Sequence, residues 1–209
     1  MFTGIVQGVG TVRAIVPRDG DVTIVFDAGD VQLDDVNLGG SIAVSGVCLT
    51  ATSRDGATFA ADVSRETLSL TTLGQWRAGT RVNVEKALLA GQALGGHYVT
   101  GHVDGVGEVV SRHDDARSVR MAFRVPPELA RYVARKGSIC IDGVSLTVNG
   151  VDGDRFDVNL VPHTLEVTTL GALESGSFVN LEVDIIARYV ERMTAAAGTG
   201  QPPSSASPC

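Results

Sequence analysis

Apolar residues fall in short runs broken by glycine and polar clusters, and none approaches the length of a membrane span. Residues 5–16 and 22–27 read as the strands of a hairpin, with the turn over 17–21, where Pro17, Asp19 and Gly20 lie. Further strands are predicted at 41–44, 47–52, 58–63 and 81–85, with Gly46 as the positive-φ residue between the first two. The same succession then returns. Thr3 matches Thr100, 97 positions on, and that offset holds without a gap: GSIAVSGVCLT falls on GSICIDGVSLT and TLSLTTLG on TLEVTTLG. About thirty positions between 3 and 85 are identical to their partners. Six short strands in under 100 residues predict a small closed antiparallel barrel, because closure removes exposed edges. The chain is therefore expected to be all-β, with two tandem six-stranded antiparallel barrels at 1–96 and 97–183.

Short helical segments interrupt the strands. One begins at Pro126-Pro127, carries Leu129, Tyr132 and Val133 on one face and is expected to stop at Gly137. SRETLSLTTLG offers Ser64 as N-cap and Gly74 as the terminating glycine; the matching segment starts at Pro162. Residues 87–96 are too short and apolar to be a loose tether. The last predicted helix, 184–197, has Asp184 as its cap and Ile185, Ile186, Tyr189, Val190 and Met193 on one face. Packing on its own domain is one reading. Two finished barrels leave little core to cover, so association between chains is the expected role. Residues 198–209, rich in Pro and Ser, are expected to be a disordered tail with Cys209 incidental.

Length and charge narrow the function. The 209 residues suit two domains of about 95 each. A net charge of −7 argues against a nucleic-acid partner, which needs a Lys/Arg surplus to displace counterions. A basic segment followed by an apolar stretch is missing from the start, so a cytoplasmic location without membrane attachment is expected. Three cysteines without CxxC do not form a disulfide framework, and the four histidines lack zinc-ligand spacing, so no metal is expected. The glycines at 8, 10, 105 and 107 lie outside any strand-to-helix context and are read as barrel kinks or bulges.

Shared positions build the fold, so chemistry is sought where the copies differ. Ile5 stands opposite His102, Cys48 opposite Ser145, Ser45 opposite Asp142, Asp62 opposite Asn159, and Arg65-Glu66 opposite Pro162-His163. Two similar pockets with unlike polar groups suit a reaction in which two similar molecules play unlike parts. Each residue also has a plainer reading: Cys48 as a small buried hydrophobe, Thr50 and Thr147 as strand formers.

MFTGIV, SGVCLT, a second copy starting TGH, DGVSLTVN and VPHTL together closely resemble riboflavin synthase of the alpha-chain type, from Met1 to about Glu191. The resemblance implies Greek-key barrels, a homotrimer built with the C-terminal helix, and a working site between the first barrel of one subunit and the second of another. It implies dismutation of two 6,7-dimethyl-8-ribityllumazine molecules to riboflavin and 5-amino-6-ribitylaminouracil, with no metal or redox cofactor and with lumazine synthase as a further candidate partner. It places Gly4, Ile5, Val6, Ser41, Cys48, Leu49, Thr50, Asp62, Val63, Ser64, Arg65, Glu66 and Thr67 in the first pocket. It places Gly101, His102, Val103, Lys136, Ser145, Leu146, Thr147, Val161, Pro162, His163, Thr164, Leu165 and Glu166 in the second, and Phe2, His102, Cys48, Ser145 and Asp184 near the chemistry. His102 is the proton-shuttle candidate, because an imidazole titrates near working pH; Cys48 and Ser145 are candidates for polarising the ring or guiding a nucleophile. A lumazine-binding fluorescent carrier without turnover is the alternative, in which the second pocket would be expected to decay.

Overall fold

The computed structural model describes residues 1–198. The first module runs β1 (Gly8–Arg18), β2 (Asp21–Asp27), β3 (Ser41–Val44), β4 (Val47–Asp55), β5 (Thr58–Val63), α1 (Arg65–Leu70) and β6 (Arg81–Lys86). The second repeats it as β7 (Gly105–Asp115), β8 (Ser118–Arg124), β9 (Ser138–Ile141), β10 (Val144–Asp152), β11 (Arg155–Leu160), α2 (Pro162–Val167) and β12 (Phe178–Val183), and α3 (Ile185–Gly198) follows. Each set closes into a six-stranded antiparallel barrel with β1-β2-β5-β4-β3-β6 order or its repeat equivalent. Along β4, Val47, Leu49 and Ala51 are buried while Thr50 and Thr52 are exposed, the two-residue period of a strand with one face on a core. The two cores are copies: Phe26 stacks on Phe59 at 5.0 Å and Phe123 on Phe156 at 5.4 Å.

Several local expectations are corrected. Pro17 stays in β1, and the turn tightens to Asp19 and Gly20, both at positive φ. The β1 and β7 bulges lie at Val12/Ala14 and Val109/Ser111, not at the paired glycines. Gly10 instead permits close backbone approach, since a Cβ there would overlap Asp27 O and sit 3.0 Å from Val84 Cγ2. The helix after Pro126 is a 3-10 segment, Pro127–Tyr132. It ends at Tyr132, short of the expected stop at Gly137, and Lys136 before that glycine takes a left-handed turn (φ 67°), matching Gly39 (φ 82°). Ser64 does cap α1, its Oγ accepting from Thr67 N at 3.2 Å, but the helix ends at Leu70. Gly74 lies inside a separate 3-10 turn, Thr72–Gln75.

The barrels meet at a buried polar seam with local twofold character. Asn83 Nδ2 donates to Asp142 O (2.8 Å) and Asn180 Nδ2 to Ser45 O (2.9 Å). Their amide oxygens accept from Thr169 N and Thr72 N, each at 2.8 Å. All four amide roles named here cross between modules, so a rigid-body shift of one barrel would break them together. Phe2, Ala43, Val99 and Cys140 fill a small apolar cluster beside this seam.

Asp184 begins α3, its Oδ1 accepting from Ile186 N at 3.0 Å. The helix docks on the second barrel through charge: Arg188 to Asp104, Arg131 to Glu191 at 2.6 Å, and both guanidinium groups over the Tyr132 ring. Its apolar residues Ile186, Tyr189, Val190 and Met193 are left exposed. Gly198 ends the helix rather than opening a tail, and 199–209, with Cys209, lie outside the described residues. Among the described residues no helix is long and apolar enough to cross a membrane.

Candidate active site

The segment before each barrel docks against the other one. Glu85 in β6 accepts from Thr3 N, Thr3 Oγ1 and Gly4 N at 2.7–3.0 Å; Glu182 in β12 does the same for Thr100 and Gly101. From there the segments cross. Gly4 O accepts from Ser145 N of the second barrel at 2.7 Å, and Gly101 O accepts from Cys48 N of the first at 2.9 Å. Val6 packs on the second core and Val103 on the first. Gly4 (φ 75°) and Gly101 (φ 79°) are required at the crossing, because a Cβ would sit 2.6 Å from the Cβ of Ser145 or Cys48. The contacts thus cut across the grouping by sequence neighbourhood: Gly101 and Val103 meet the first barrel, with Cys48, whereas Gly4 and Val6 meet the second, with Ser145; His102 and Ile5 stand between these pairs.

The other predicted residues of the first pocket follow the outer wall of that barrel. Ser41 pairs with Thr50 across β3 and β4, and Ala43 with Cys48. Asp62 lies outward on β5, accepting from Thr23 Oγ1 at 2.6 Å. The start of α1, with Ser64, Arg65, Glu66 and Thr67, follows it. Leu49 and Val63 belong to the barrel core, 4% and 1% exposed, so only their backbone can meet a ligand. On the second barrel, Ser145 pairs with Cys140 and Thr147 with Ser138. Exposed Lys136 precedes β9, and Val161 leads into α2 with Pro162, His163, Thr164, Leu165 and Glu166. Leu146 and Leu165 pack against that core. Asn159, opposite Asp62 in the repeat, has a buried Oδ1 without a partner among the described residues.

Phe2 is fully buried between the barrels, so it anchors the first crossing segment instead of meeting a ligand. Exposed His102 borders a cavity of about 330 Å³ with Thr100, Val103, Asp104, Glu182 and Arg188. A matching space of about 360 Å³ adjoins Ile5. Burial pushes the Glu85 and Glu182 carboxyls up from the ordinary carboxylate range, against the pull of their N–H and O–H donors. Asp142 is pushed up to about 7 by burial. The Ser45/Asp142 difference therefore lies in the seam, at the tight turns before Gly46 and Gly143.

Comparing the two copies missed three kinds of residue. Glu85/Glu182 and Asn83/Asn180 are identical in both copies and so carry no difference. A charged or amide side chain within a strand was their available signal. His97 precedes the second copy and has no partner in the first. It is nevertheless buried, with Nδ1 2.7 Å from Ser145 Oγ.

The chain has known relatives. The Lumazine binding domain model matches twice, at residues 3–87 and 100–184. A riboflavin synthase from Photobacterium phosphoreum is 43% identical, covering 92% of this chain and 88% of that protein. One from Mycobacterium tuberculosis H37Rv is 46% identical, covering 95% and 100%. Crystal structures of LumP complexed with 6,7-dimethyl-8-(1′-D-ribityl)lumazine and with riboflavin superpose with TM-scores of 0.79 and 0.80 at 28% and 30% identity, each over 88% of this chain and 99% of the other. The chain belongs to the lumazine-binding family and, within it, to the riboflavin synthases.

Proposed function

We propose that the two outer-wall pockets each hold one 6,7-dimethyl-8-ribityllumazine and that the pair dismutates to riboflavin and 5-amino-6-ribitylaminouracil. The two products together contain the atoms of two substrates, so no oxidant or reductant is required. One ring must lose a proton from its C7 methyl group, leaving an anion delocalised through the heterocycle. The other must accept that carbon as an electrophile. Holding two flat rings in register contributes up to about 7–11 kcal/mol by replacing a rare encounter with a fixed one. His102, beside the first-barrel pocket, shuttles the proton; Cys48 and Ser145 polarise the rings from the first and second pockets. The remaining wall residues position the pyrimidine edge and ribityl chain, with backbone amides as the specificity groups.

One observation supports this reading most: both barrels keep the same supporting frame, yet the segments that carry His102 and Ile5 run against different barrels, through Gly101 and Val103 in one and Gly4 and Val6 in the other. A carrier needs one pocket; the second here retains Ser145, Thr147 and the VPHT segment. The pockets lie on outer walls, and α3 leaves four large apolar residues exposed. Both features support a homotrimer in which the first barrel of one chain faces the second of another. A cytoplasmic location and proximity to lumazine synthase complete the proposal.

Two assays test it. Purified protein with 6,7-dimethyl-8-ribityllumazine should yield one riboflavin per two lumazines consumed; binding without riboflavin would leave a carrier. Chains carrying His102→Gln and chains carrying Ser145→Ala, dissociated and reassembled together at subsaturating lumazine, should recover activity above the mean of the two separate preparations. A site confined to one chain would give no recovery.

A further inference from the structure

Gln7 and Asp104 are repeat partners, 97 positions apart. Each follows its crossing segment and accepts the backbone N–H of the last residue in the neighbouring strand: Gln7 Oε1 from Lys86 N at 3.0 Å, Asp104 Oδ2 from Val183 N at 2.7 Å. A neutral amide suffices for that bond, so the charge at 104 has another use. The second carboxylate oxygen, Oδ1, accepts from Arg188 of α3. The Asp104 side chain is only 9% exposed, where a carboxylate without a partner is costly. Among the described residues no helix separates β6 from β7, so Gln7 has no counterpart of Arg188.

Asp104 lies two residues beyond His102. The segment between them is pinned at Thr100 and Gly101 by Glu182, at Val103 by the first core, and at Asp104 by Val183 N and Arg188. Of these contacts, the one to Arg188 alone comes from outside the barrels. The exposed His102 ring makes no hydrogen bond among the described residues, so its placement depends on this backbone. Ile185 and Arg188 also wall the cavity of about 330 Å³ that His102 borders. Asp184, Arg188 and Glu191 recur at helical spacing and share the docking face. The Arg188 guanidinium lies 5.2 Å from the Tyr132 ring centre, and Glu191 pairs with Arg131 at 2.6 Å. Ile186, Tyr189, Val190 and Met193 are exposed on the remaining surface.

We propose that Arg188 is a positioning residue for the reaction: through Asp104 it fixes the backbone on which His102 stands, so a side chain of the association helix sets the proton-transfer geometry. This deepens the reading of His102 as the proton shuttle and rests on it. Arg188 itself meets no reacting atom. Releasing the pin misplaces the imidazole and leaves the lumazine walls intact, so the loss falls on kcat rather than KM.

The test uses full-length chains carrying Arg188→Met, Asp104→Asn or Arg188→Lys. Met keeps an apolar stem over Tyr132 and removes the charge. Asn keeps one oxygen for Val183 N, as Gln7 does for Lys86 N, and leaves none for Arg188. Arg188→Met and Asp104→Asn should each lower kcat by about tenfold, with KM for 6,7-dimethyl-8-ribityllumazine within about twofold of the wild type. The two together should cost no more than either alone, and Arg188→Lys should retain most of the rate. Added to His102→Gln, Arg188→Met should bring no further loss, because the ring it positions is gone. In Arg188→Met, amide hydrogen exchange should quicken over 100–104 and stay unchanged over 3–7, with sedimentation as in the wild type. An equal loss of rate with and without His102→Gln, unchanged exchange over 100–104, or smaller particles would overturn the inference: the pair would then serve folding or assembly alone. If His102→Gln by itself leaves kcat unchanged, the shuttle reading fails first and this inference falls with it.

Discussion

Replacing Asp142 by serine would place in the second module the residue that the first carries at position 45. Both occupy tight positive-φ turns at the seam, at 46° and 42°. Asp142 Oδ1 accepts from Asn180 N at 2.7 Å, and Ser45 Oγ accepts from Asn83 N at 3.2 Å, so serine can supply the acceptor. Burial raises the Asp142 pKa from 3.8 to about 7. Between those values the folded chain binds a proton that the unfolded chain releases, so this group's contribution to stability falls as pH rises. A displacement of about 3 pK units corresponds to about 4 kcal/mol, of which about 2.5 kcal/mol is lost between pH 5 and 8. Serine does not titrate. Urea unfolding of both proteins at pH 5, 6, 7 and 8 should show the variant gaining on the wild type by about that amount across the range. Taking the difference cancels Glu85 and Glu182, whose raised pKa values act in the same direction in both proteins. Parallel curves would refute the reasoning: Asp142 would then not hold its proton on folding.

Three further outcomes follow from the same geometry. His102→Gln should lower kcat by at least about tenfold while changing lumazine affinity far less, and an unchanged kcat would remove the shuttle role. Gly101→Ala should destabilise the chain by about 1–3 kcal/mol, read as an earlier urea midpoint, because its left-handed backbone and the nearby Cys48 Cβ both oppose a methyl group. Tyr189→Asp with Met193→Asp should leave each barrel folded by circular dichroism but give smaller particles in sedimentation and little riboflavin formation; an active monomer would contradict a site shared between chains.

The barrels were legible because their determinants are local and were written twice. Short strands, glycine turns and the 97-residue offset locate all twelve strands to within a few residues, and Ser64 and Asp184 announce their helices by side-chain chemistry alone. The crossing of the leading segments was not legible. It depends on Ser145 N reaching Gly4 O and Cys48 N reaching Gly101 O, contacts between distant stretches that equal sequences in both copies cannot assign to one barrel or the other. Searching for chemistry in the differences singled out Ile5/His102, whose segments run against different barrels. It misdirected at Ser45/Asp142, where the unlike residues do the same structural job. It could not see His97, which has nothing to differ from. Leu49 and Val63 lay within pocket motifs but on the inward strand phase, where side chains serve the core.

The central claim is two ligand pockets per chain, alike in frame and unlike in polar groups. Equilibrium titration of the active protein with an 8-ribityllumazine that cannot react measures this directly. The account predicts saturation at two ligands per chain, with Cys48→Ala and Ser145→Ala each disturbing a different step. Saturation at one ligand per chain in a preparation that still makes riboflavin at full rate would contradict it.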